Sequence, residues 1–403
     1  MTTAQKTYLI SFTLALALLP LLAITVPRIL AYIPAVAGLL GYISYAFVFK
    51  ERARRSVPGF VIVGAVMLLM FASTLWAVAP DVALERAQKT SLLLICGAFL
   101  ISTVLTIRIP VILPYLKWLP YLLFTAAALA CFEIGLHYPV YRLVRGEDFD
   151  AAVSLAVFNR AAVTIVLLLV PSLMIMRHYH NVQICLLCVL ATVVPLLMMG
   201  ESQSALLGVM VAGLTYAAFP YGWKYAYAFF AAAIAALMVA LPFIAIGAFG
   251  NFAADVNALP LLGQGGGFAG ARMEIWDYVS RYALQSPLYG YGVEATREIT
   301  DFDSGEIFQE GTSILHPHNY TLQLWMEFGL LGVLPGAALM AYLILQIGKL
   351  PRRAARMALS TLFAVLAVAS TSYGIWQGWW VGLLFAVAAY SLFAVRLARH
   401  EAV

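Results

Sequence analysis

The chain has little charge. Only 11% of its 403 residues are Asp, Glu, Lys or Arg, whereas 63% are hydrophobic. A soluble domain carries about 25% charged residues, so this composition excludes an ordinary soluble fold. Apolar runs of about 20 residues, the length that crosses a bilayer, recur along the sequence. The sequence therefore predicts an all-α integral membrane protein, with residues 1–403 forming a single polytopic domain.

Cysteine is also scarce. The four cysteines, Cys96, Cys131, Cys185 and Cys188, all fall within apolar runs. Cys185 and Cys188 form a CxxC, a spacing found in redox and metal sites. No second pair exists, and both residues stand among Leu and Val in a predicted helix. This context favours structural burial over redox chemistry or metal binding.

Twelve apolar runs are candidate transmembrane helices. Their approximate bounds are 8–26, 29–49, 58–78, 89–106, 118–136, 159–176, 182–199, 205–219, 225–249, 319–348, 357–371 and 376–395. The run 205–219 is short for a span. The first run follows Lys6 and could be a signal peptide, but it is long and another run follows at once, which favours an uncleaved span.

The basic residues predict the orientation of these helices. With twelve spans and both termini in the cytoplasm, the two densest basic clusters, Lys50–Arg55 and Lys349–Arg356, lie inside, as the positive-inside rule expects. One helix more or fewer between them would put one cluster on the wrong side. The topology makes residues 250–318 a large outer loop between helices 9 and 10. The net charge of +5 reflects this orientation rather than nucleic-acid binding.

The large loop contains a glycine-rich stretch and a short helical pattern. The stretch Gly263–Gly270 follows no strand and lacks the Lys-Ser/Thr of a phosphate loop, so a flexible hinge is favoured. In Arg272–Ala283, residues Ile275, Trp276 and Val279 recur at helical spacing. We expect an interfacial helix with Trp276 near the lipid headgroups. Its other faces would carry Glu274, Asp277 and Arg281.

The segment His316-Pro317-His318-Asn319 gives the strongest functional signal. Pro317 disfavours helix at His316, so the tenth helix should begin at or near His318. There the positive end of the helix dipole would lower the pKa of the ring and keep it neutral near pH 7. A neutral imidazole can act as a general base. It could equally cap the helix and contact lipid headgroups, and the residues alone do not decide between these roles.

Helical spacing gives a second expectation for this segment. His318 would share one helix face with Trp325, Gly329 and Gly332, and Glu327 would point the opposite way. Such a glycine face allows another helix to pack closely.

Arginines on the predicted outer side form a further signal. Arg160 begins the sixth span, and Arg272 opens the interfacial helix. A guanidinium fork matches phosphate or pyrophosphate, although any one arginine alone is more often an interface anchor. A polar break, residues 200–205, separates the seventh and eighth spans and should face protein or water.

These motifs resemble a known family, the bacterial O-antigen ligases and the related O-antigen and exopolysaccharide polymerases. Their signature is His-Asn, nine residues, then Gly-x-x-Gly, and His318-Asn319 and Gly329-x-x-Gly332 match it in full. The residues Gly270-Ala-Arg272, Trp276, Pro287 and Gly290-Tyr-Gly292 resemble a segment of that family's periplasmic loop. The resemblance covers residues 270–336 well and the rest of the chain loosely.

The resemblance implies a metal-independent inverting glycosyltransferase that needs no cofactor. It would act at the periplasmic face of the inner membrane and move a glycan from undecaprenyl pyrophosphate to lipid A–core or to a glycan acceptor. His318 would be the catalytic base and Arg272 would bind the pyrophosphate, with Asn319 and Trp276 as further substrate contacts. We expect no nucleic-acid partner.

One position departs from the family pattern. The family often carries another arginine after the seventh span, but Glu201–Ala205 contains none. Either Gln203 or Ser204 contacts phosphate as a neutral donor, or Arg160 takes the place of the missing arginine.

A ligase is the leading functional prediction, and a polymerase that uses the same donor is the alternative. A transporter is disfavoured because the predicted spans hold few charges and show no repeat symmetry.

Overall fold

All regular secondary structure in the described residues is helical, as predicted. The structure is a computed structural model that describes residues 1–148, 152–246, 252, 268–299 and 314–401, with residues 268–271 described by backbone alone. The α-helices, in chain order, are α1 Thr3–Ala17, α2 Leu19–Thr25, α3 Tyr32–Phe49, α4 Val57–Ser73, α5 Pro80–Thr106, α6 Ile109–Leu116, α7 Trp118–Gly135, α8 Pro139–Arg145, α9 Asn159–Tyr179, α10 Val182–Cys188, α11 Val194–Met199, α12 Gln203–Ala218, α13 Ala226–Ile244, α14 Phe268–Ala283, α15 Ala295–Glu298, α16 Tyr320–Ile347, α17 Arg352–Ala369 and α18 Gly378–His400. Two 3-10 helices, Pro27–Ala31 and Leu155–Phe158, and a π-helical turn, Val189–Val193, complete the described elements.

Helices occupy all twelve predicted positions, but they differ in length. Within the described residues, eight are long and apolar enough to cross a membrane, or nine if α1 and α2, which meet at a 42° bend, form one span. Helices α4 and α12 are apolar but shorter. Helix α17 has Arg352, Arg353 and Arg356 in its first turns. Twelve crossings and cytoplasmic termini therefore stay predictions.

The outer surface of the helices is apolar. Large hydrophobic side chains such as Phe47, Leu75 and Met198 are 78%, 86% and 81% exposed. Continuous apolar surface of this kind is unfavourable in water and suits contact with lipid. Helices α9 and α18 are mostly buried and lie at the centre of the largest hydrophobic core. The architecture is that of a multi-pass membrane protein.

Helix α14 confirms the helical spacing predicted in the large loop. It begins at Phe268 and packs against α13 and α16, with Ile275 and Val279 buried. Glu274 and Asp277, which the spacing places on other faces of this helix, are also buried, at 7% and 9% exposure. Because α14 lies against two helices, more than one of its faces is covered. Its position at the membrane interface stays a prediction, and Gly263–Gly267 lie outside the described residues.

Helix α16 is interrupted at Gly329, whose φ of 56° and ψ of −143° are not helical. The turn 287–292 packs against this break. Backbone bonds run from Leu330 N to Pro287 O (2.8 Å), Leu331 N to Leu288 O (3.1 Å), Tyr291 N to Met326 O (2.9 Å) and Gly292 N to Glu327 O (2.9 Å). A Cβ at Gly329 would lie 2.7 Å from the carbonyl carbon of Leu288, so the contact requires glycine. The glycine of the signature thus anchors the turn 287–292 of the large loop to α16.

Candidate active site

The loop that precedes α16 carries the two histidines. The helix begins at Tyr320, and the Asn319 side chain caps it by accepting hydrogen bonds from the backbone N–H groups of Thr321 (3.0 Å) and Leu322 (3.2 Å). The expectation that His318 stands in the first helical turn is therefore wrong. Its φ of 54° places it in the left-handed region, outside the helix. The prediction that His318 shares one helix face with Gly329 is wrong as well. His318 lies before the helix begins, and Gly329 interrupts the helix.

One contact fixes the tautomer of His318. Its Nδ1 lies 2.5 Å from the carbonyl oxygen of Ser372, in the loop 370–377 that joins α17 to α18. A carbonyl oxygen can only accept, so Nδ1 carries the proton and Nε2 carries the lone pair. The His316 ring lies beside it, with the ring centroids 4.1 Å apart. His318 Nε2 is thus the nitrogen available to take a proton.

The His318 ring is neutral, but for a reason other than the one predicted. Burial lowers the pKa of His318 to about 4, and the positive charge of Arg272 adds to the effect, while the bond to Ser372 opposes it. Burial likewise lowers the pKa of His316 to about 3. Because His318 lies outside the helix, a helix dipole is not the main cause.

Arg272 brings positive charge to the same place. It stands on the first turns of α14 and is half-buried. Burial lowers the pKa of Arg272 below its ordinary value. Arg272 forms no hydrogen bond or ion pair with any residue that the structure describes. A buried guanidinium without a counter-ion is costly, so this position suits an anionic ligand.

Arg160 also lies close to Tyr373. Its guanidinium lies 5.4 Å from the centroid of the Trp379 ring, and that ring packs edge-on against Tyr373 at 4.5 Å. Burial raises the pKa of Tyr373 to about 12, and the charges of Arg160 and Arg272 oppose that shift. Two arginines that are distant in sequence therefore lie near one tyrosine in the loop 370–377.

Trp276 links helix α14 to the histidine loop. Its indole N–H donates to the carbonyl oxygen of Pro317 at 2.9 Å. Arg272 lies one turn earlier on the same helix, so this bond holds the turn that carries Arg272 against the histidine loop. Trp276 therefore connects helix α14 to the histidine loop, and the substrate contact expected of it stays a prediction.

The polar break before α12 contributes one residue to this region. Ser204 is buried, and its Oγ hydrogen-bonds with the Oγ of Ser372, the residue whose carbonyl holds His318. Gln203 begins α12, and no hydrogen bond joins its side chain to any described residue. The structure thus brings Ser204 to the site and leaves Gln203 without a described contact there.

Sequence reasoning missed the loop 370–377. It supplies the Ser372 carbonyl, the Tyr373 ring and Gln377, whose amide nitrogen lies 3.2 Å from His316 Nε2. This loop contains no charged residue, and the sequence placed it as a short connection between two spans. Its signal was a cluster of polar and aromatic residues, Thr371-Ser-Tyr-Gly-Ile-Trp-Gln-Gly-Trp-Trp380, at the end of a hydrophobic run.

The arrangement can bind an anion and remove a proton. His318 offers a neutral nitrogen lone pair, and Arg272 offers positive charge close to it. In the part of the chain that the structure covers, no group of three or more His, Cys, Asp or Glu residues has a metal-site arrangement.

Comparison with known proteins confirms the resemblance that the sequence suggests. Residues 184–335 match the O-antigen ligase family model. The matched segment contains His318, Arg272, Ser204 and the glycines of the signature, and it leaves out Arg160 and the loop 370–377.

Individual relatives carry related names. Proteins of Rickettsia conorii, Rickettsia typhi and Rickettsia prowazekii, each named "Putative polysaccharide ligase", are 30% identical to this chain over 118 residues. The match covers 28% of this chain and 29% of each relative's length. The likeness is to proteins with a glycan-ligase name, over less than a third of their length.

Proposed function

We propose that the protein is an O-antigen ligase-like inverting glycosyltransferase. It moves a glycan from undecaprenyl pyrophosphate to a hydroxyl of lipid A–core, at the periplasmic face of the bacterial inner membrane. The observation that carries this proposal is the pairing of His318 and Arg272: a neutral imidazole with its lone pair on Nε2, beside a half-buried guanidinium that forms an ion pair with none of the described residues.

The residues fit the two chemical needs of this reaction. As the acceptor oxygen attacks the anomeric carbon, its proton passes to His318 Nε2. The bond between the anomeric carbon and the phosphate oxygen breaks, and the pyrophosphate leaves with the electron pair. The leaving group is a stabilised anion, so it needs positive charge more than it needs a proton. The imidazolium that forms keeps its Nδ1–H on the Ser372 carbonyl.

The arginines supply the positive charge. Arg272 lies near His318, and both Arg272 and Arg160 lie close enough to Tyr373 to influence its pKa. Two guanidinium groups so placed can hold the two phosphates of a pyrophosphate. A serine such as Ser204 brings a hydroxyl but no charge, so Arg160 is the better replacement for the arginine absent from residues 201–205.

Donor binding strengthens the base. In the free protein the charge of Arg272 helps to lower the pKa of His318. A bound pyrophosphate neutralises that charge and adds negative charge nearby, so the pKa of the ring rises toward neutrality. The base therefore becomes effective when the donor is in place.

Reconstitution tests this function. Purified protein in liposomes receives an undecaprenyl-pyrophosphate-linked glycan and, in separate reactions, lipid A–core or a second lipid-linked glycan. Product on lipid A–core is the expected result. A ladder of longer lipid-linked glycans would instead identify a polymerase, and transport of solute without covalent product would overturn glycosyl transfer altogether.

His318→Ala gives the matching mutational test. Loss of a positioned general base should lower the rate by about 10²- to 10⁴-fold, with the folded amount unchanged. His178→Ala is the control, since His178 is distant in sequence from the histidine loop and its side chain contacts Glu401 instead. A rate near wild type for His318→Ala would remove the general-base role.

A further inference from the structure

A buried polar network lies behind the histidine loop, centred on Glu327. This side chain is 1% exposed and stands inside α16, an unusual place for a carboxylate in a membrane protein. Its Oε1 accepts from the Gln323 amide (2.9 Å) and from the Glu294 backbone N–H (3.1 Å), and its Oε2 accepts from the Trp376 indole (2.5 Å). Three donors thus converge on one carboxylate.

The network holds the loop 370–377 at two neighbouring points. The Gln323 amide nitrogen donates to Glu327, and this orients the Gln323 side chain. Its Oε1 then accepts a hydrogen bond from the backbone N–H of Ile375 at 2.9 Å. Trp376, the next residue, is held by Glu327 itself. Only two residues separate Ile375 from Ser372, whose carbonyl receives His318 Nδ1–H. A shift of the loop would therefore move that carbonyl.

Glu294, whose backbone N–H donates to Glu327, is held by two ion pairs. Arg86, on α5, forms an ion pair with Glu294 at 2.7 Å, and Arg297 forms a second one at 3.3 Å. Arg86 also approaches the carbonyl oxygen of Trp376 at 3.5 Å. The loop is thus fixed relative to α5, α15 and α16 together.

We propose that Glu327 and Gln323 are positioning residues that hold the loop 370–377 so that the Ser372 carbonyl fixes the ring orientation and tautomer of His318. The effect on catalysis rests on the proposed function, whereas the tautomer of His318 can be observed without any substrate. A carbonyl that is out of place would let the proton move to Nε2, and an Nε2–H cannot act as the base.

Glu327→Gln tests the proposal. A glutamine offers one acceptor oxygen to three donors, so the loop loses at least one attachment. We expect kcat to fall about 10-fold or more, a part of the roughly 10²- to 10⁴-fold that a positioned base contributes, with KM for the donor nearly unchanged. Glu133→Gln is the matched control: Glu133 is also fully buried, but it accepts from Val140 N and Tyr141 N, away from the loop 370–377.

The second measurement reads the tautomer directly. The chain has six histidines, so ¹⁵N spectra of protein labelled at histidine ring nitrogens are tractable, and the spectrum of His318→Ala assigns the His318 signals. Wild type should show the Nδ1–H tautomer at pH 7, and Glu327→Gln a mixture of the two. If Glu327→Gln does not fold, Gln323→Met replaces it. Methionine has a similar length but cannot form the bonds to Glu327 and Ile375, so we expect the same mixture of tautomers.

The outcomes separate this inference from the proposed function. If wild type transfers no glycan, the proposed function fails and the ¹⁵N spectra alone decide the positioning role. If either variant keeps the wild-type tautomer, the inference is overturned, whether kcat falls or not, because a fall would then come from some other defect.

Discussion

At the scale of single residues, the chemistry of the site depends on which atoms are left without a partner. His318 Nδ1 is engaged by the Ser372 carbonyl, which leaves Nε2 available. Arg272 is half-buried yet is joined to none of the described residues by a hydrogen bond or ion pair. A lone pair and an uncompensated positive charge therefore lie close together, and a substrate with a hydroxyl and an anionic leaving group satisfies both.

Arg272→Lys tests the need for a guanidinium fork. A lysine keeps the charge but cannot make two parallel hydrogen bonds to phosphate. Loss of one charge-assisted bond costs about 1.5–3 kcal/mol, so KM for the donor should rise about tenfold or more. Arg281→Lys is the control, since Arg281 lies on the same helix, is exposed, and pairs with Asp277 at 3.0 Å. Equal donor kinetics in the two variants would rule out a phosphate fork at Arg272.

The pH dependence of kcat/KM should report the pKa of His318 in the free protein. That pKa is lowered to about 4, whereas an ordinary histidine titrates near 6.5. The ring thus stays neutral between these values, and the acid limb of the profile should lie near pH 4. The same shift opposes folding in acid: between about pH 6.5 and 4 the unfolded chain binds a proton that the folded chain excludes, so stability falls as pH falls.

Removing the charge of Arg272 should move this titration in a known direction. Arg272→Gln takes away a positive charge that disfavours the imidazolium, so the pKa of His318 should rise toward 6.5. Because this variant will transfer glycan slowly, the titration is best followed by ¹⁵N spectra of labelled histidine. A pKa that stays at the wild-type value would mean that burial alone sets it.

Part of the site could be predicted from the sequence, and the limit has a physical cause. His318, Arg272 and Arg160 are charged or titratable residues at helix ends, and their type and place already indicated chemistry. Ser372 acts through its backbone carbonyl and Tyr373 through its proximity to two arginines. Both roles depend on contacts between segments far apart in the chain, which no local pattern records.

At the scale of single elements, the break in α16 decides how the histidine loop is held. Sequence periodicity treated residues 318–336 as one continuous helix, because a glycine in an apolar run does not reveal its φ angle. The Asn319 cap moves the helix start past His318, and Gly329 interrupts the helix after nine residues. The signature spacing thus corresponds to a capped helical segment with a docking point for the turn 287–292 at its end.

Gly329→Ala should destabilise the protein. Its φ of 56° and ψ of −143° cost a residue with a Cβ about 1–3 kcal/mol, and the Cβ would also press on the backbone of Leu288 and Tyr289. Gly213→Ala is the control, because a Cβ there meets nothing within 4 Å and alanine favours helix by about 0.5–1 kcal/mol. Thermal unfolding in detergent measures both, and a Gly329→Ala midpoint equal to wild type would contradict the docking role of the break.

At the scale of the whole molecule, the hydrophobic runs predicted where the helices lie but did not determine how many of them cross the membrane. Each predicted run is helical, since a backbone in hydrocarbon must satisfy its own hydrogen bonds. Length decides less clearly: α4 and α12 have 17 and 16 residues, near the lower limit for a span. Between the basic clusters Lys50–Arg55 and Lys349–Arg356, loss of either crossing alone would place the clusters on opposite sides.

The sidedness of the site therefore rests on whether α4 and α12 cross the membrane. The twelve-span topology puts Glu201 and Leu288 outside, and Arg52 and Trp223 inside, and all four are exposed. Each is changed to cysteine in a cysteine-free background, and intact spheroplasts are treated with a membrane-impermeant maleimide. Glu201→Cys and Leu288→Cys should react at once, and Arg52→Cys and Trp223→Cys only after permeabilisation. If Glu201→Cys and Trp223→Cys, which flank α12, react on the same side, α12 does not cross the membrane. If Leu288→Cys reacts on the same side as Arg52→Cys, the histidine loop faces the cytoplasm, and a periplasmic acceptor could not reach it.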